Sequence, residues 1–545
     1  MVPFWFRLRN AKKIAGARMA PSTLFSVCFA LLCFLYGCFF LKVMSDWPGF
    51  MIREGYTTYG AERLRDGEWP YRDFFFLWTP GVLALHALLQ ELGASAVVER
   101  GASLLAAVGS AALIFHEARR WHLTRRERGY LMALLFLWSF PLWNIPYSSW
   151  YAVFAVLLGI RCRHRSWAGA GVLFALSFWF KQNIGILAAI GMLASLTAFR
   201  QWRSLAQFAG AYLASAVLPF LPLWLIAGDA WLHAAISQVF LFPVKYPALM
   251  GRGLPAFAVG SPLITLGLWV CSLYLSMAAP LPRNLARGLA VAHASYAIAT
   301  EGREYFAGFF LLLSLVAWGG SLLFLTQEKK SERDPILFLW LPCFGAFLQI
   351  YPRADFAHFL FVFPLSAAFL VWFLGRIPRR YPVVAASWAF FPGMLLVLGG
   401  LLFQGRAVFT RYYGAEDAAG FYSYGESYRL DEEMAAVRQH LREQGLKDHD
   451  PVLVMPNATS FYRFAGLRNP TPHNQFFPGY VEGFGSRQSD VLPGFERAGG
   501  RYIVLQYGSD LERLAPELDR ELKLRYEEQR RFPYHFSVWR KRGEP

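Results

Sequence analysis

The chain has 545 residues, 55% of them hydrophobic and only 17% charged, with a mean hydropathy of +0.31; this excludes a string of ordinary soluble domains and points to several membrane crossings. Its 54 Lys and Arg against 37 Asp and Glu leave a net charge of +17, which in a soluble protein would suggest nucleic acid. Here the surplus sits before the first apolar run (Arg7, Arg9, Lys12, Lys13, Arg18) and in short loops, RRWHLTRRER, RCRHR, RQWR, RNLAR and RIPRR, so it marks cytoplasmic loops facing anionic lipids and no nucleic-acid surface.

Residues 1–21 read as a cytoplasmic basic tail, and 22–44 supply the roughly 20 apolar residues that a spanning helix needs. The run is too long for a signal-peptide core and no A-x-A-like site follows, so a retained span is expected. A first external loop, 45–97, comes next. Further spans are expected near 98–118, 129–146, 147–160, 167–181, 183–199 and 205–227, then near 260–279, 286–301, 305–325, 335–350, 358–375 and 382–403. The span at 286–301 is kept because without it QEKKSERD and RIPRR would fall on opposite sides. About thirteen transmembrane helices over 22–403 then place the N-terminus in the cytoplasm and the C-terminus outside, beside the first loop.

Residues 404–545 change character and predict a soluble α/β domain on the extracytoplasmic face. RLDEEMAAVRQHLREQGL reads as an amphipathic helix, PVLVMP and RYIVLQY as buried strands, SDLERLAPELDRELKLR as a polar helix and YHFSVWRKR as an alternating strand. Cys28, Cys33, Cys38, Cys162, Cys271 and Cys343 form neither a disulfide framework nor a zinc-type pair.

Polar groups that break the apolar pattern converge on the outer face: Asp46, Glu54, Arg72 and Asp73 in the first loop, Lys181 and Gln182 in FWFKQNIG, and Arg353, Asp355 and His358 in YPRADFAHF. Taken singly each has a bland reading. Lys181 can snorkel, Arg353 and Asp355 can end two helices as an ion pair, and His358 can be an interfacial histidine. The charges of residues 53–68 can be the wet face of an interfacial helix with Tyr56, Tyr59 and Arg63 on one side. Together they suit one chemistry: cations hold a phosphate and the charge that grows on it, while a carboxylate takes a proton from an attacking hydroxyl. Nucleotide sugars are cytoplasmic, so a donor reaching this face would be lipid-linked.

Four stretches carry a family resemblance: REGYTTYGAERLRDGEWPYRDFFFLWTPG from Arg53, FWFKQNIG from Phe178, YPRADFAHFLFVFPL from Tyr351 and FYRFAGLRNPTPHN from Phe461. In this order they resemble the polyprenyl-phosphate-sugar-dependent glycosyltransferases of the GT-C superfamily, related to protein O-mannosyltransferases, aminoarabinose transferases and lipopolysaccharide-core galacturonosyltransferases. The resemblance implies a multi-pass bacterial inner-membrane enzyme that moves a sugar, with inversion, from a polyprenyl-phosphate donor to a glycan, lipid or protein acceptor. It implies a catalytic first-loop acid, Glu54 or Asp46, with Asp73 orienting the loop or the sugar. Arg72, Lys181, Arg353 and His358 would hold the donor phosphate, supported by Tyr71, Gln182 and Asp355. The family's leading aspartate is Arg53 here, which leaves the base divided between Glu54 and Asp46. No cofactor is implied, although a divalent ion held by either acid with the donor phosphate stays open, since oxygen ligands leave little sequence signature. The reading from another class is a transporter, flippase or binding protein for lipid-linked glycans; against transport, no repeated half is visible.

Overall fold

The computed structural model describes residues 51–138, 146–245, 260–276, 280–301, 303–351, 356–401, 430–506, 511–533 and 535–543, all within one unit, Trp47–Pro545. The span at 22–44, Asp46, Arg353 and Asp355 lie outside the described residues. The described chain opens with α1 (Met51–Arg65) and α2 (Gly81–Glu91) of the first loop, then α3 (Ala96–Ala118), α4 (Arg125–Trp138), α5 (Ser148–Cys162), α6 (Trp167–Phe180) and α7 (Gln182–Ala198). It continues with α8 (Trp202–Val217), α9 (Phe220–Ile236), α10 (Ser261–Leu275), α11 (Pro280–Glu301), α12 (Arg303–Leu325), α13 (Lys330–Phe347) and α14 (Phe356–Arg380). Among the described residues four helical runs are long and apolar enough to cross a membrane, Ala96–Trp121, Trp202–Lys245, Gly308–Leu325 and His358–Arg380, and shorter apolar helices stand beside them. Such surfaces require lipid, and the protein is an integral membrane protein.

The span expected at 205–227 ends differently. Helix continues through α9 and a π-helical turn, Ser237–Leu241, to Lys245, bent at Gly228, whose φ of 82° suits a residue without a Cβ. Before the bend Leu213, Val217, Leu221 and Leu225 are exposed, as a lipid-facing surface would be; beyond it Trp231, Gln238 and Val239 are buried.

The carboxy-terminal part is α/β, as its strand patterns predict. A four-stranded sheet has the order β1-β2-β4-β3, with β1 (Val452–Met455) parallel to β2 (Tyr502–Gln506) and β4 (Phe536–Lys541) antiparallel to both β2 and β3 (Tyr526–Arg531). Alternation sorts the strands' side chains onto two cores. Val452, Val454, Val504 and Val538 pack with Met434, Val437 and Leu441 of α15 (Leu430–Glu443), while Leu453, Met455 and Ile503 pack with Leu492, Phe495, Leu518 and Leu522. Strand β3, YEEQRR, escapes the sequence reading because it is an edge strand whose residues after Tyr526 are exposed, so it carries charge instead of alternation.

The first loop corrects one expectation. Residues 51–65 are helical, as the spacing of Tyr56, Tyr59 and Arg63 suggests, but the face that carries these three is not wet: Glu54, Tyr56, Thr57, Thr58, Tyr59 and Arg63 are all buried, and among the described side chains of the helix only Arg65, at its end, is exposed. Helix α1 lies between α2 and the short helix α16 (Ser460–Ala465) of the carboxy-terminal part. Tyr59 stacks on Tyr462 at 4.8 Å and its hydroxyl accepts from the Asn469 amide at 2.8 Å. Arg63 donates to the Thr471 carbonyl at 3.0 Å and to Asn474 Oδ1 at 2.8 Å, and the Phe75 amide donates to the Pro472 carbonyl at 2.9 Å. Gly55 allows this approach, since a Cβ there would collide with the backbone of Ser460. Gly55→Ala is therefore expected to weaken the docking by about 1–3 kcal/mol, read as faster proteolysis of the carboxy-terminal part. Unchanged cleavage would show that the contact is dispensable.

Candidate functional site around Lys181

Lys181 is the single residue between α6 and α7, in extended conformation (φ −155°, ψ 108°). Its position at a helix junction brings other helix ends to it. Nζ donates to Ser149 Oγ at 2.7 Å, in the first turn of α5, and to Gln349 Oε1 at 3.0 Å, in the turn after α13. Gln349 Nε2 in turn donates to the carbonyl of His358, at the start of α14, at 3.0 Å. Rings complete the surroundings: Tyr147 lies 5.4 Å from the ammonium and Trp78 and Phe361 lie 6.0 Å away, with Tyr147 stacked on Phe361 at 4.8 Å. Only 4% of Lys181 is exposed. It does not snorkel: among the described residues, two polar oxygens and three ring faces hold a desolvated ammonium.

Trp78 arrives from the first loop on a segment that side chains stitch down in place of a sheet. Gln238, in the π-helical turn, accepts from the Phe76 amide at 3.1 Å and donates to the Tyr71 carbonyl at 2.9 Å. Gln182 donates to the carbonyls of Leu77 at 2.9 Å and Val239 at 3.1 Å. The Leu77 amide donates to the Tyr56 hydroxyl at 2.9 Å, and the Tyr71 hydroxyl donates to the Trp78 carbonyl at 2.6 Å. Tyr71 itself sits at φ 74° with its ring against Trp231. Lys181, Gln182, Tyr71 and the start of α14 at His358 thus belong to one assembly.

Two expected members stand apart. Arg72 and Asp73 are partly exposed and bind each other, at 2.8 and 3.0 Å. Asp73 also accepts from the Trp69 amide at 2.7 Å; burial raises its carboxyl, but the Arg72 and Trp69 hydrogen bonds outweigh that and hold it below the usual carboxylate value. A phosphate would have to draw Arg72 away from this pair. Asp73 fixes the turn through the Trp69 amide.

Glu54 is not a free acid. It is 4% exposed, and its two oxygens accept from Arg100 Nη2 at 2.8 Å and Nε at 3.0 Å. Beside this pair, Glu99 accepts from Arg463 of the carboxy-terminal part at 2.7 Å and meets His86 Nδ1 at 3.3 Å, while His86 Nε2 lies 3.0 Å from the Tyr151 hydroxyl. Glu99 and Arg100 are not among the sequence-derived candidates, although two ionisable residues opening the apolar run AVVERGASL are a visible signal. Ser149, Gln349 and Gln238 had no such signal. Among the described residues no group of three His, Cys, Asp or Glu side chains has a metal-binding arrangement.

The element FYRFAGLRNPTPHN is the docking surface for α1. Asn469 Oδ1 accepts from the Thr471 amide and hydroxyl, both at 2.9 Å, shaping the turn that presents the carbonyls of Thr471 and Pro472 to Arg63 and Phe75. In NQFFPGYVEGFG, Tyr480 packs on Phe75 and Phe242 at 4.9 and 5.8 Å, so this ring serves packing rather than open sugar stacking; FYSYGESYR lies outside the described residues. Burial and then Arg63 push the pKa of His473 down to about 3. A histidine depressed in the folded state binds its proton first in the unfolded state, so stability is complete above the unfolded value near 6.5 and falls as pH drops below it. At about pH 4.5 the loss should be about 2–3 kcal/mol, measured as protease sensitivity of the carboxy-terminal part; His473→Asn should flatten the profile.

No protein-family model and no curated protein matches the chain. Among solved structures it is similar to ArnT from Cupriavidus metallidurans bound to undecaprenyl phosphate, with 14% identity over 95% of this chain and 98% of that one and a TM-score of 0.43. The apo state of the same protein gives 15% identity, the same coverage and a TM-score of 0.42.

Proposed function

We propose that the chain is a membrane glycosyltransferase of the bacterial inner membrane that moves a sugar, with inversion, from a polyprenyl-phosphate donor to an acceptor hydroxyl outside the cytoplasm. The observation that carries this reading is the Lys181 assembly. A desolvated ammonium is strongly attracted to a phosphate, and the aromatic walls at the mouth of apolar helices suit an isoprenoid chain. As the bond from the sugar to the phosphate breaks, negative charge grows on the departing phosphate, and an ammonium already oriented by Ser149 and Gln349 stabilises it without reorganising. Arg353 and His358 would complete the phosphate site, with Arg72 joining after release from Asp73.

A first-loop carboxylate would take the acceptor's proton. The pairing of Glu54 with Arg100 commits both of its oxygens, which shifts the base role to Asp46 and gives Glu54 the work of holding α1. Of the residues expected to hold the donor phosphate, Lys181 and His358 lie at helix ends, a placement suited to chemistry at one surface rather than passage across the bilayer. The test is incubation of the purified protein in lipid with a panel of radiolabelled polyprenyl-phosphate sugars. Label transferred to an acceptor or to water, with release of polyprenyl phosphate, supports an enzyme; lipid binding without turnover on any donor supports a transporter or binding protein for lipid-linked glycans instead.

A further inference from the structure

The segment from Pro70 to Trp78, between α1 and α2, carries Trp78 to Lys181 without a helix or sheet of its own. Within it the Tyr71 amide donates to the Phe74 carbonyl at 2.8 Å, and other main-chain groups must find partners elsewhere. They find them on the helical run that follows the bend at Gly228. Trp231 Nε1 donates to the Pro70 carbonyl at 2.9 Å, and its ring lies 5.7 Å from that of Tyr71. About two helical turns on, and so on the same face, Gln238 donates to the Tyr71 carbonyl at 2.9 Å and accepts from the Phe76 amide at 3.1 Å. One carboxamide thus spans both ends of the turn from Tyr71 to Phe76, as a neighbouring strand would. Gln238 lies in the π-helical turn, a backbone form concentrated at functional positions. Trp231 and Gln238 are both buried, and Phe242 beyond them packs on Phe75 at 5.4 Å. Their influence on Lys181 runs through Trp78, whose ring lies 6.0 Å from the ammonium and 4.9 Å from Tyr147.

We infer that Gln238, assisted by Trp231, is a positioning residue for the lipid-linked donor: it fixes Trp78 against the Lys181 ammonium, so that this aromatic wall stands before the donor arrives. The inference rests on the glycosyltransferase reading of Lys181. Without the clamp the donor has to order the segment as it binds, and the penalty falls on binding rather than on the chemical step. Gln182, which holds the Leu77 and Val239 carbonyls, offers a second route from the π-helical turn to Lys181, and the two routes predict different double variants.

The test uses the full chain in lipid and compares Gln238→Leu, Trp78→Ala and the two combined. Gln238→Leu should raise the donor KM at least about tenfold, the effect of two buried main-chain groups left without partners, with kcat within about threefold of wild type. A merely structural role would lower the yield of folded protein and leave KM unchanged, which overturns the inference. Because Gln238 acts through Trp78, adding Gln238→Leu to Trp78→Ala should change KM little further; effects that multiply would route it through Gln182 and overturn the inference too. A second readout needs no turnover. Reductive methylation of Lys181, followed by mass spectrometry, should be slow in the wild type and about tenfold faster in Gln238→Leu and in Trp78→Ala, with no further gain in the double variant. That pattern without transfer from any donor supports the placing of Trp78 by Gln238 and fails the glycosyltransferase reading alone. Unchanged methylation in Gln238→Leu overturns the inference whether or not transfer occurs. Should Gln238→Leu not fold, Trp231→Phe, which keeps a ring but loses the bond to Pro70, should move KM and methylation in the same direction; no movement in either overturns the inference.

Discussion

Lys181→Met is expected to lower sugar transfer about 100- to 1,000-fold, the range for removing one preorganised group from a developing anion, while leaving the protein folded. Met has nearly the length of Lys without its charge, so it can fill the space among Trp78, Tyr147 and Phe361. The loss of a partner for Ser149 and Gln349 costs about 1–3 kcal/mol, offset in part because a buried ammonium no longer has to be desolvated. Lys181→Arg should not restore full activity, because a planar guanidinium cannot reproduce a compact ammonium between two oxygens and three rings. The measurement is turnover at saturating donor together with donor binding and thermal stability. Wild-type turnover in Lys181→Met would remove Lys181 from the reaction and with it the main support for the proposed function.

The parts of this protein legible in the sequence are those whose cause is local. Apolar runs announce the helices, and FWFKQNIG draws attention to Lys181, although alone it reads equally as a snorkelling lysine. Strand alternation reveals β1, β2 and β4. What the sequence conceals depends on partners far along the chain. Helix α1 reads as half-wet, since its cover, Tyr462, Asn469, Thr471 and Asn474, is about four hundred residues away. The same distance hides why NPTPHN exists: it shapes a turn that satisfies Arg63 and the Phe75 amide. Glu54 looks like a free acid until Arg100, within an apolar run, turns out to face it. Gln238 sits in ISQVFLF with nothing to mark it, and only the fold shows that it holds the loop carrying Trp78.

Arg100→Met should destabilise the protein by about 3–5 kcal/mol, since it leaves the Glu54 carboxylate buried without its counter-charge. Converting both residues, Arg100→Met with Glu54→Leu, should recover most of that loss, because an apolar pair of similar volume avoids desolvating two ions. The recovered protein then separates the two readings of Glu54. If Glu54 only holds α1 against α3, the double variant keeps turnover within about tenfold of wild type, whereas Asp46→Asn loses about 10²- to 10⁴-fold, the contribution of a positioned general base. If Glu54 is the base, the order reverses: a stable double variant is inactive and Asp46→Asn is nearly normal. We expect the first outcome, because a carboxylate with both oxygens on one guanidinium has to break that pair before it can accept a proton from sugar or lipid.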